Sequence, residues 1–458
     1  MRQEIFREFS IRGQAERDLT DPVVYQIGQA IGAYLADMKP VTLVVGHDVR
    51  WSSPRICQTV AAGLTVTGVN VVDIGLVPTP ILNFAVDHFH ATGGVMVTAS
   101  HNPPGDNGFK LRTNVTLTGP ALQQIYALAI AQAFPQGQGV RAQKDGLTPY
   151  LEALRKRALS GRAQKIVVDG GNGINGRIVS DFLRGQGHTV TEVFTELDGT
   201  FPNRNPDPTA PKALLVAAQT VIEHQADFGL AYDGDGDRVV LIDELGQPHY
   251  GDIILMLLAR NALREKPVHV VYDVSCTKAL ADDVVAHGGQ AHPAAVGYAF
   301  VHEKMRELGA TLGGETAGHI FCLDDTFKFD DAILASIKLI NYFAGQNQPV
   351  SALIADLPKY HTTPNLRLFC PDTLKQHLVE TITRHYQATH PVETIDGAKI
   401  MFDGGWALVR PSNTQPAISL RAEGETFEIM TAIKNEVLNL VQVELAKLGV
   451  STEDDLPE

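Results

Sequence analysis

Phe228-Gly-Leu-Ala-Tyr-Asp-Gly-Asp-Gly-Asp-Arg238 is the stretch from which the rest of the chain can be read. Residues 228–232 are mostly apolar and β-prone, and they run directly into three aspartates separated by two glycines. A strand that ends in a glycine-rich polar loop belongs to a sheet whose strand ends carry the chemistry. The glycines allow a tight fold in which Asp233, Asp235 and Asp237 converge on one hard cation; without a counterion their repulsion would raise their pKa values. The small number of ligands on offer favours Mg²⁺ over Ca²⁺, with a phosphate to complete the shell. An EF-hand also opens with this alternation, and Glu244 falls at its twelfth position. Its sixth position requires glycine, where Arg238 stands, and 228–232 reads as strand rather than helix. A solvated acidic turn is the remaining alternative.

The same strand-to-loop arrangement recurs on either side. Apolar β-rich runs at 43–48, 166–169 and 270–273 each end in Asp and a polar loop. A helical segment and a second short strand follow, at 69–74, 189–194 and 290–296. A third strand then enters one of three loops: Thr98-Ala-Ser-His-Asn-Pro-Pro104, the aspartate loop, or Gly314-Glu-Thr-Ala-Gly-His319. Alternating strands and helices predict parallel sheets covered on both faces, with ligands at the carboxyl ends of the strands. Three tandem α/β units follow, with joints near 146–149, 246–248 and 358–364; one large α/β domain is the competing reading. The last hundred residues break the pattern. An extended run at 400–409, a loop at 410–416, a second run at 417–423 and a long amphipathic helix from Glu425 predict a smaller α+β domain. The expected division is 1–146, 147–247, 248–360 and 361–458.

Each loop has its own chemistry. Ser100 sits at a strand end in an irregular turn held by two prolines and two glycines, where its hydroxyl is a nucleophile, a phosphoryl carrier or a helix cap. A Ser hydrolase would need G-x-S-x-G and a distant His, and neither is present; His101, its own neighbour, is not expected to act as a triad base. Glu315 and His319 suit hydrogen bonds to vicinal hydroxyls, or form a structural pair. The tail loop Arg410-Pro-Ser-Asn-Thr-Gln-Pro416 offers a guanidinium, hydroxyls and free N–H groups, a set that matches a phosphate dianion, or it is an ordinary polar turn. Arg12 and Arg421 are further candidate anion contacts, or surface charges.

Composition narrows the class. Across 458 residues, 52 Asp and Glu against 38 Lys and Arg leave a formal charge of -14, which disfavours nucleic-acid and membrane-surface binding. An anionic ligand therefore needs basic residues focused locally. Cys57, Cys276, Cys322 and Cys370 are far apart with no CxxC pair, so reduced core thiols are expected. The first 13 residues carry five charges, and the greasiest stretch, 253–259, ends at Arg260. Neither a secretory signal nor a membrane span is read there, and a cytoplasmic protein is expected.

In this order, the loops resemble the α-D-phosphohexomutase family, nearest its bacterial phosphomannomutase/phosphoglucomutase branch. The match runs from Phe6-Arg-Glu-Phe-Ser-Ile-Arg-Gly13 to the tail strand ending at Glu423. The resemblance implies a four-domain cleft of three related α/β units with mixed sheets plus a C-terminal α+β domain. It implies a phosphoserine at Ser100, with Mg²⁺ held there by Asp233, Asp235 and Asp237. Arg12, His101, Lys110 and Arg238 match positions lining the phosphoryl-transfer site. Glu315, Thr316, Ala317, Gly318 and His319 match the sugar loop, while Arg410, Ser412, Asn413, Thr414 and Arg421 match the phosphate-binding part. The implied reaction interconverts hexose 1- and 6-phosphates through a hexose 1,6-bisphosphate, in a monomer or dimer. Phosphoglucosamine mutase, a sugar-phosphate binder without turnover and a metal-dependent phosphatase are the alternatives. Five positions depart from the pattern: Phe9 and Ser10 stand where Tyr and Asp are usual, Ser275 where a phosphate-contacting Lys is usual, Tyr298 for His and Ala317 for Ser.

Overall fold

A computed structural model describes residues 1–38, 40–159, 161–210, 212–412 and 415–450. Its first sheet has six strands in the order Ile11–Gln14, Asp106–Arg112, Gly93–Val97, Thr42–His47, Asn70–Leu76 and Arg141–Gln143. The last four run parallel and the first two antiparallel, so the sheet is mixed. Gly93–Val97 is buried along its whole length, as a strand covered on both faces must be, which is why it reads as a continuous apolar run.

The second sheet orders Pro248–His249, Val239–Asp243, Phe228–Tyr232, Lys165–Asp169 and Thr189–Val193. The third orders Gln290–Ala294, His269–Asp273, Leu312–Gly314 and Ile320–Cys322. In each of these three sheets the parallel core is extended by an antiparallel hairpin that starts at a predicted loop. The three-fold repeat expected from the sequence is therefore real, and the predicted strand positions hold to within two residues. The greasy stretch at 253–259 lies inside the buried helix Gly251–Leu263. None of the described helices is long and apolar enough to cross a membrane. All four cysteines are free thiols.

The tail is an antiparallel sheet backed by the helices Asp372–Gln387 and Phe427–Lys447. Here one expectation is corrected: the run at 400–409 is not a single strand. It splits into Ala398–Phe402 and Gly405–Pro411 around Asp403 and Gly404, whose φ of +70° suits glycine at a tight turn. Arg410 and Pro411 consequently belong to a strand, not to a loop. The helix starts two residues later than expected, at Phe427, because the Thr426 side chain accepts from Ile429 N and caps it.

Burial divides the molecule unevenly. One apolar cluster runs without a break from Val44 and Ile74 through Tyr150, Ile166 and Tyr232 to Leu255 and Phe343, joining the first three units. The tail has its own core, and the patch linking it to the third unit is small: Val274, Trp406 and Leu408.

Candidate active site

The first three loops meet where their sheets meet. Ser100 follows the strand Gly93–Val97 in a left-handed backbone conformation, φ +51°, costing about 1–2 kcal/mol for a residue with a Cβ. What holds it there is Arg50. This fully buried guanidinium donates to the carbonyls of Ser100 (2.9 Å), Asn102 (2.6 Å), Pro103 (2.6 Å) and Asp106 (2.9 Å), and it pairs with Asp48 at 3.2 Å. Thr98 Oγ1 accepts from Ser100 N at 2.8 Å and donates to Asp48 Oδ2 at 2.8 Å. The serine loop also lies directly on the aspartate loop: a Cβ on Gly234 would stand 2.5 Å from Ser100 O, so only glycine fits.

Ser100 Oγ donates to Asp233 Oδ2 at 2.8 Å and lies 3.2 Å from His101 Nδ1. The second contact brings the ring of His101, one of the positions matched to the phosphoryl-transfer site, next to the serine hydroxyl. The left-handed turn at Ser100 folds the two neighbouring side chains toward each other. Burial, and then the Arg238 charge, push the His101 pKa well down, so the ring is a neutral imidazole.

Asp233, Asp235 and Asp237 are all 0 % exposed, with carboxylate oxygens within 4.8 Å of one another. Lys110 Nζ donates to Asp235 Oδ2 at 2.7 Å and to Asp237. Burial alone would lower the Lys110 pKa; the two carboxylates outweigh it and raise it. Burial likewise resists ionisation of Asp235, but Lys110 and the Thr79 hydroxyl, donating at 2.6 Å, hold its pKa well below the ordinary range. Asp233 goes the other way, up to about 6, through burial and the Asp237 charge, although Arg238 Nε donates to it at 3.0 Å. Asp235 Oδ1 and Asp237 Oδ1 are buried without a hydrogen-bond partner among the described residues. Two orphaned carboxylate oxygens beside a third carboxylate fit a hard divalent cation, which takes oxygen ligands. Arg12 shares a sheet face with Lys110; its Nη1 donates to Asn102 Oδ1 at 2.9 Å and its Nε is buried without a hydrogen-bond partner among the described residues.

The third loop is stitched to the second. Val239 N donates to Gly318 O at 3.2 Å, and Arg238 and His319 form a β-bridge. His319 Nδ1 lies 2.7 Å from Asp330 Oδ2. Asp237 and Asp330 overcome burial and lift its pKa to about 9. Its ring stacks on Tyr298 with centroids 5.2 Å apart. Glu315 accepts from Gly297 N at 2.6 Å, and burial raises its pKa to about 7. Thr316 N donates to Asp273 Oδ2 at 2.8 Å, and Ala317 sits between Thr316 and Gly318 as a partly buried methyl. Phe9 contacts Tyr298 and Phe300, with ring centroids 5.7 and 5.2 Å away, while Ser10 is buried beside it. Two of the positions that depart from the family pattern, Phe9 and Tyr298, thus touch each other across the first and third units.

From the tail, Arg410 Nε pairs with Asp396 at 2.7 Å, and its Nη2 is buried without a hydrogen-bond partner among the described residues. Arg421 Nη1 donates to Thr316 Oγ1 at 3.2 Å, which carries it into the sugar-loop region. Ser412 N donates to Ala417 O at 2.8 Å, and Ser412 Oγ accepts from Gln415 N at 3.2 Å. Asn413 and Thr414 lie outside the described residues.

Several residues in this array were not singled out from the sequence. Arg50 had a usable signal, since it stands in the polar loop after a predicted strand ending at Asp48. Thr79, Asp207 (3.4 Å from Arg238 Nη1), Asp330, Asp396, Lys399 and Glu423 had none; each is remote in sequence from its partner. Lys399 is the most telling, because its Nζ donates at 3.0 Å to the carbonyl of Val274, adjacent to the Ser275 that stands where a lysine is usual.

Comparison with known proteins agrees with this geometry. Residues 3–136, 148–246 and 250–360 match the phosphoglucomutase/phosphomannomutase alpha/beta/alpha domains I, II and III, and residues 366–440 match the C-terminal domain of the same proteins. The phosphoglucomutase of Neisseria meningitidis is 35% identical over 447 residues, covering 96% of this chain and 97% of the relative. The phosphomannomutase/phosphoglucomutase of Pseudomonas aeruginosa is 34% identical over 449 residues, covering 97% of each chain. The crystal structure of a phosphoglucomutase/phosphomannomutase family protein from Burkholderia thailandensis superposes with a TM-score of 0.91 at 34% identity, covering 98% of this chain and 99% of that one. Fold, loop order and sequence converge: the chain belongs to the phosphoglucomutase/phosphomannomutase family.

Proposed function

We propose that this chain is a phosphohexomutase that interconverts the 1- and 6-phosphates of mannose and glucose through a phosphoserine at Ser100. The observation that carries the reading is Ser100 Oγ, hydrogen-bonded to the first of three buried aspartates, which pair with Lys110 and Arg238, while Arg12 bonds Asn102 of the serine loop. The Oγ–P bond of phosphoserine breaks as a bond forms from phosphorus to the free O6 or O1 of a hexose phosphate. The attacking hydroxyl gives up its proton and Ser100 Oγ takes one up as it leaves, with His101 Nδ1 the ring nitrogen in reach of that leaving oxygen and Arg12 and Lys110 handling charge at the attacking one. The product is a hexose 1,6-bisphosphate, which turns over in the cleft and returns its other phosphate to Ser100.

Asp233, Asp235, Asp237 and the Ser100 oxygen would hold Mg²⁺, which when bound neutralises charge on the transferring group. Lys110, kept as an ammonium by its two carboxylates, supplies positive charge beside Asp235 and Asp237, and Arg238 does the same beside Asp233. Glu315 and His319 bind sugar hydroxyls, with Thr316, Ala317 and Gly318 shaping their loop. Arg410, Ser412, Asn413, Thr414 and Arg421 hold the phosphate that stays on the sugar. The work divides along 1–146, 147–247, 248–360 and 361–458, in a cytoplasmic monomer or dimer activated by hexose 1,6-bisphosphate.

Phosphorus NMR with Mg²⁺ and a trace of hexose 1,6-bisphosphate tests the reading, with mannose, glucose and glucosamine 1-phosphates in parallel. Conversion of the first two to 6-phosphates is expected. Preference for glucosamine 1-phosphate would make the chain a phosphoglucosamine mutase. Release of inorganic phosphate would make it a phosphatase. Binding without conversion, in protein phosphorylated at Ser100, would reduce it to a binder.

A further inference from the structure

The tail sheet carries three cations on one face. Lys399 and Arg421 are both cross-strand partners of Leu408, so they share a row across adjacent strands, and Arg410 stands two residues on from Leu408 on the same face. This is the face that meets the third unit, where Leu408 and Trp406 bury against Val274. Arg410 has Asp396 at 2.7 Å and Arg421 has Asp252 at 3.6 Å as carboxylate neighbours. The hydrogen-bond acceptor of Lys399 is instead a neutral carbonyl, Val274 O at 3.0 Å, with the Trp406 ring centre 4.2 Å from its ammonium. Burial pushes the Lys399 pKa down even though Glu393 and Glu423 pull it up. A partly desolvated ammonium resting on a carbonyl gains by exchanging it for an anion.

Its location says which anion. Val274 precedes Ser275, whose Oγ bonds Asp273 and lies 3.4 Å from Thr316 Oγ1 of the sugar loop. The ammonium therefore lies at the carbonyl one residue before Ser275, whose hydroxyl faces the sugar loop. Holding the two domains together is a task already met by Glu423, which accepts from Lys278 N at 2.9 Å and Trp406 Nε1 at 2.8 Å.

We propose that Lys399 is a third contact to the phosphate retained on the substrate, acting with Arg410 and Arg421 from the last domain. This deepens the mutase reading above and rests on it for the identity of the ligand. Lys399→Met keeps the stem over Trp406 and removes the charge, and Lys399→Arg keeps the charge. Calorimetry on the full chain measures binding of glucose 1-phosphate and of inorganic phosphate, and steady-state kinetics measures kcat and KM.

Lys399→Met is expected to weaken binding of both probes about tenfold and raise KM to match, with kcat within threefold and an unchanged Tm. Lys399→Arg restores affinity. Unchanged phosphate affinity in Lys399→Met would overturn the proposal, and so would an equal loss in both variants, which would mark a packing role. Phosphate binding that depends on Lys399 in a chain that turns over no hexose phosphate would sink the mutase reading alone. A wild-type chain that binds neither probe would sink both.

Discussion

Two junctions in this molecule are built on opposite plans. Where the first two units meet, buried ions face buried ions: Lys110 of the first lies against Asp235 and Asp237 of the second, flanked by the pair Arg50–Asp48 within the first unit and Arg238–Asp233 within the second. Where the third unit meets the tail, the links are single hydrogen bonds between a carboxylate and a neutral N–H, Glu423 to Lys278 N and Asp396 to Val296 N, and the looser Arg421–Asp252 pair at 3.6 Å, around a patch of three apolar residues. The first kind of junction tolerates no displacement, because separating its partners leaves uncompensated charge in a low-dielectric interior. The second can part at modest cost, since each bond given up is replaced by one to water. Transfer chemistry needs the former, and admitting then enclosing a sugar phosphate needs the latter.

The sharpest way to break this contrast is at Ser100. Ser100→Ala is expected to lower turnover by at least about 10³-fold, since an alternative carrier hydroxyl would need the same approach to the aspartates. The fold should survive, because Arg50 holds the loop through backbone carbonyls and not through the serine side chain. Residual activity near wild type would remove the phosphoserine from the mechanism.

Lys110→Met tests the ionic junction itself. Two buried carboxylates lose their counterion, so a stability loss on the order of 3–5 kcal/mol is expected together with loss of activity. Added Mg²⁺ should raise the Tm of the variant more than that of the unaltered chain, as a cation takes over part of the compensation. Equal Tm values for the two chains without metal would mean that the junction is not held by charge.

How much of this was legible beforehand follows from how far apart the partners are in the chain. Asp233, Asp235 and Asp237 announce themselves within five residues, and a strand entering a glycine-rich loop is a local pattern, so the repeat and its loops could be read directly. Arg50 and Lys399 act on carbonyls 50 to 125 residues away, and no local spacing encodes such a partner. The tail hairpin was missed for another reason. Apolar residues lie on both sides of Asp403 and Gly404 and mask the turn, although a Gly-Gly pair at Gly404 and Gly405 was available as a turn signal. The left-handed backbone at Ser100 was invisible too, since it is imposed by Arg50 and Thr98 and not by a glycine at that position.

The adjustable junction is probed by Glu423→Ala, with a smaller effect. It removes acceptors from Trp406 Nε1 and from Lys278 N at the start of the helix Lys278–Ala286. A loss of about 1–3 kcal/mol is expected to fall on docking of the tail more than on unfolding of the first three units. Hydrogen exchange should accelerate in that helix and in the tail strand Gly405–Pro411, while the core joining the first three units stays protected. Uniform acceleration across the chain would mean that the tail is no more separable than the rest.

The last effect appears only in acid, and it locates a weak point of the third unit outside both junctions. His302, on the helix Tyr298–Leu308, stacks on Phe321 with centroids 5.5 Å apart and packs on Phe329 at 4.6 Å. Burial, reinforced by the charges of Arg306 and Arg112, lowers its pKa to about 4 from the ordinary 6.5. Above pH 6.5 the ring is neutral in both the folded and the unfolded chain, and the full stability is present. As pH falls from there toward 4, the unfolded chain takes up a proton that the folded chain refuses, so stability declines. The whole interval amounts to about 3 kcal/mol from this one ring. Replacing His302 with Phe keeps an aromatic between Phe321 and Phe329 and removes the titration. The difference in stability between the two chains, followed by urea unfolding, should therefore change with pH between about 6.5 and 4 and level off on either side. A difference that stays constant across that range would show that the ring is solvated in the native state. Glu315 and His319, in the neighbouring sugar loop, titrate in the cleft itself, so stability, and not KM, is the readout that isolates His302.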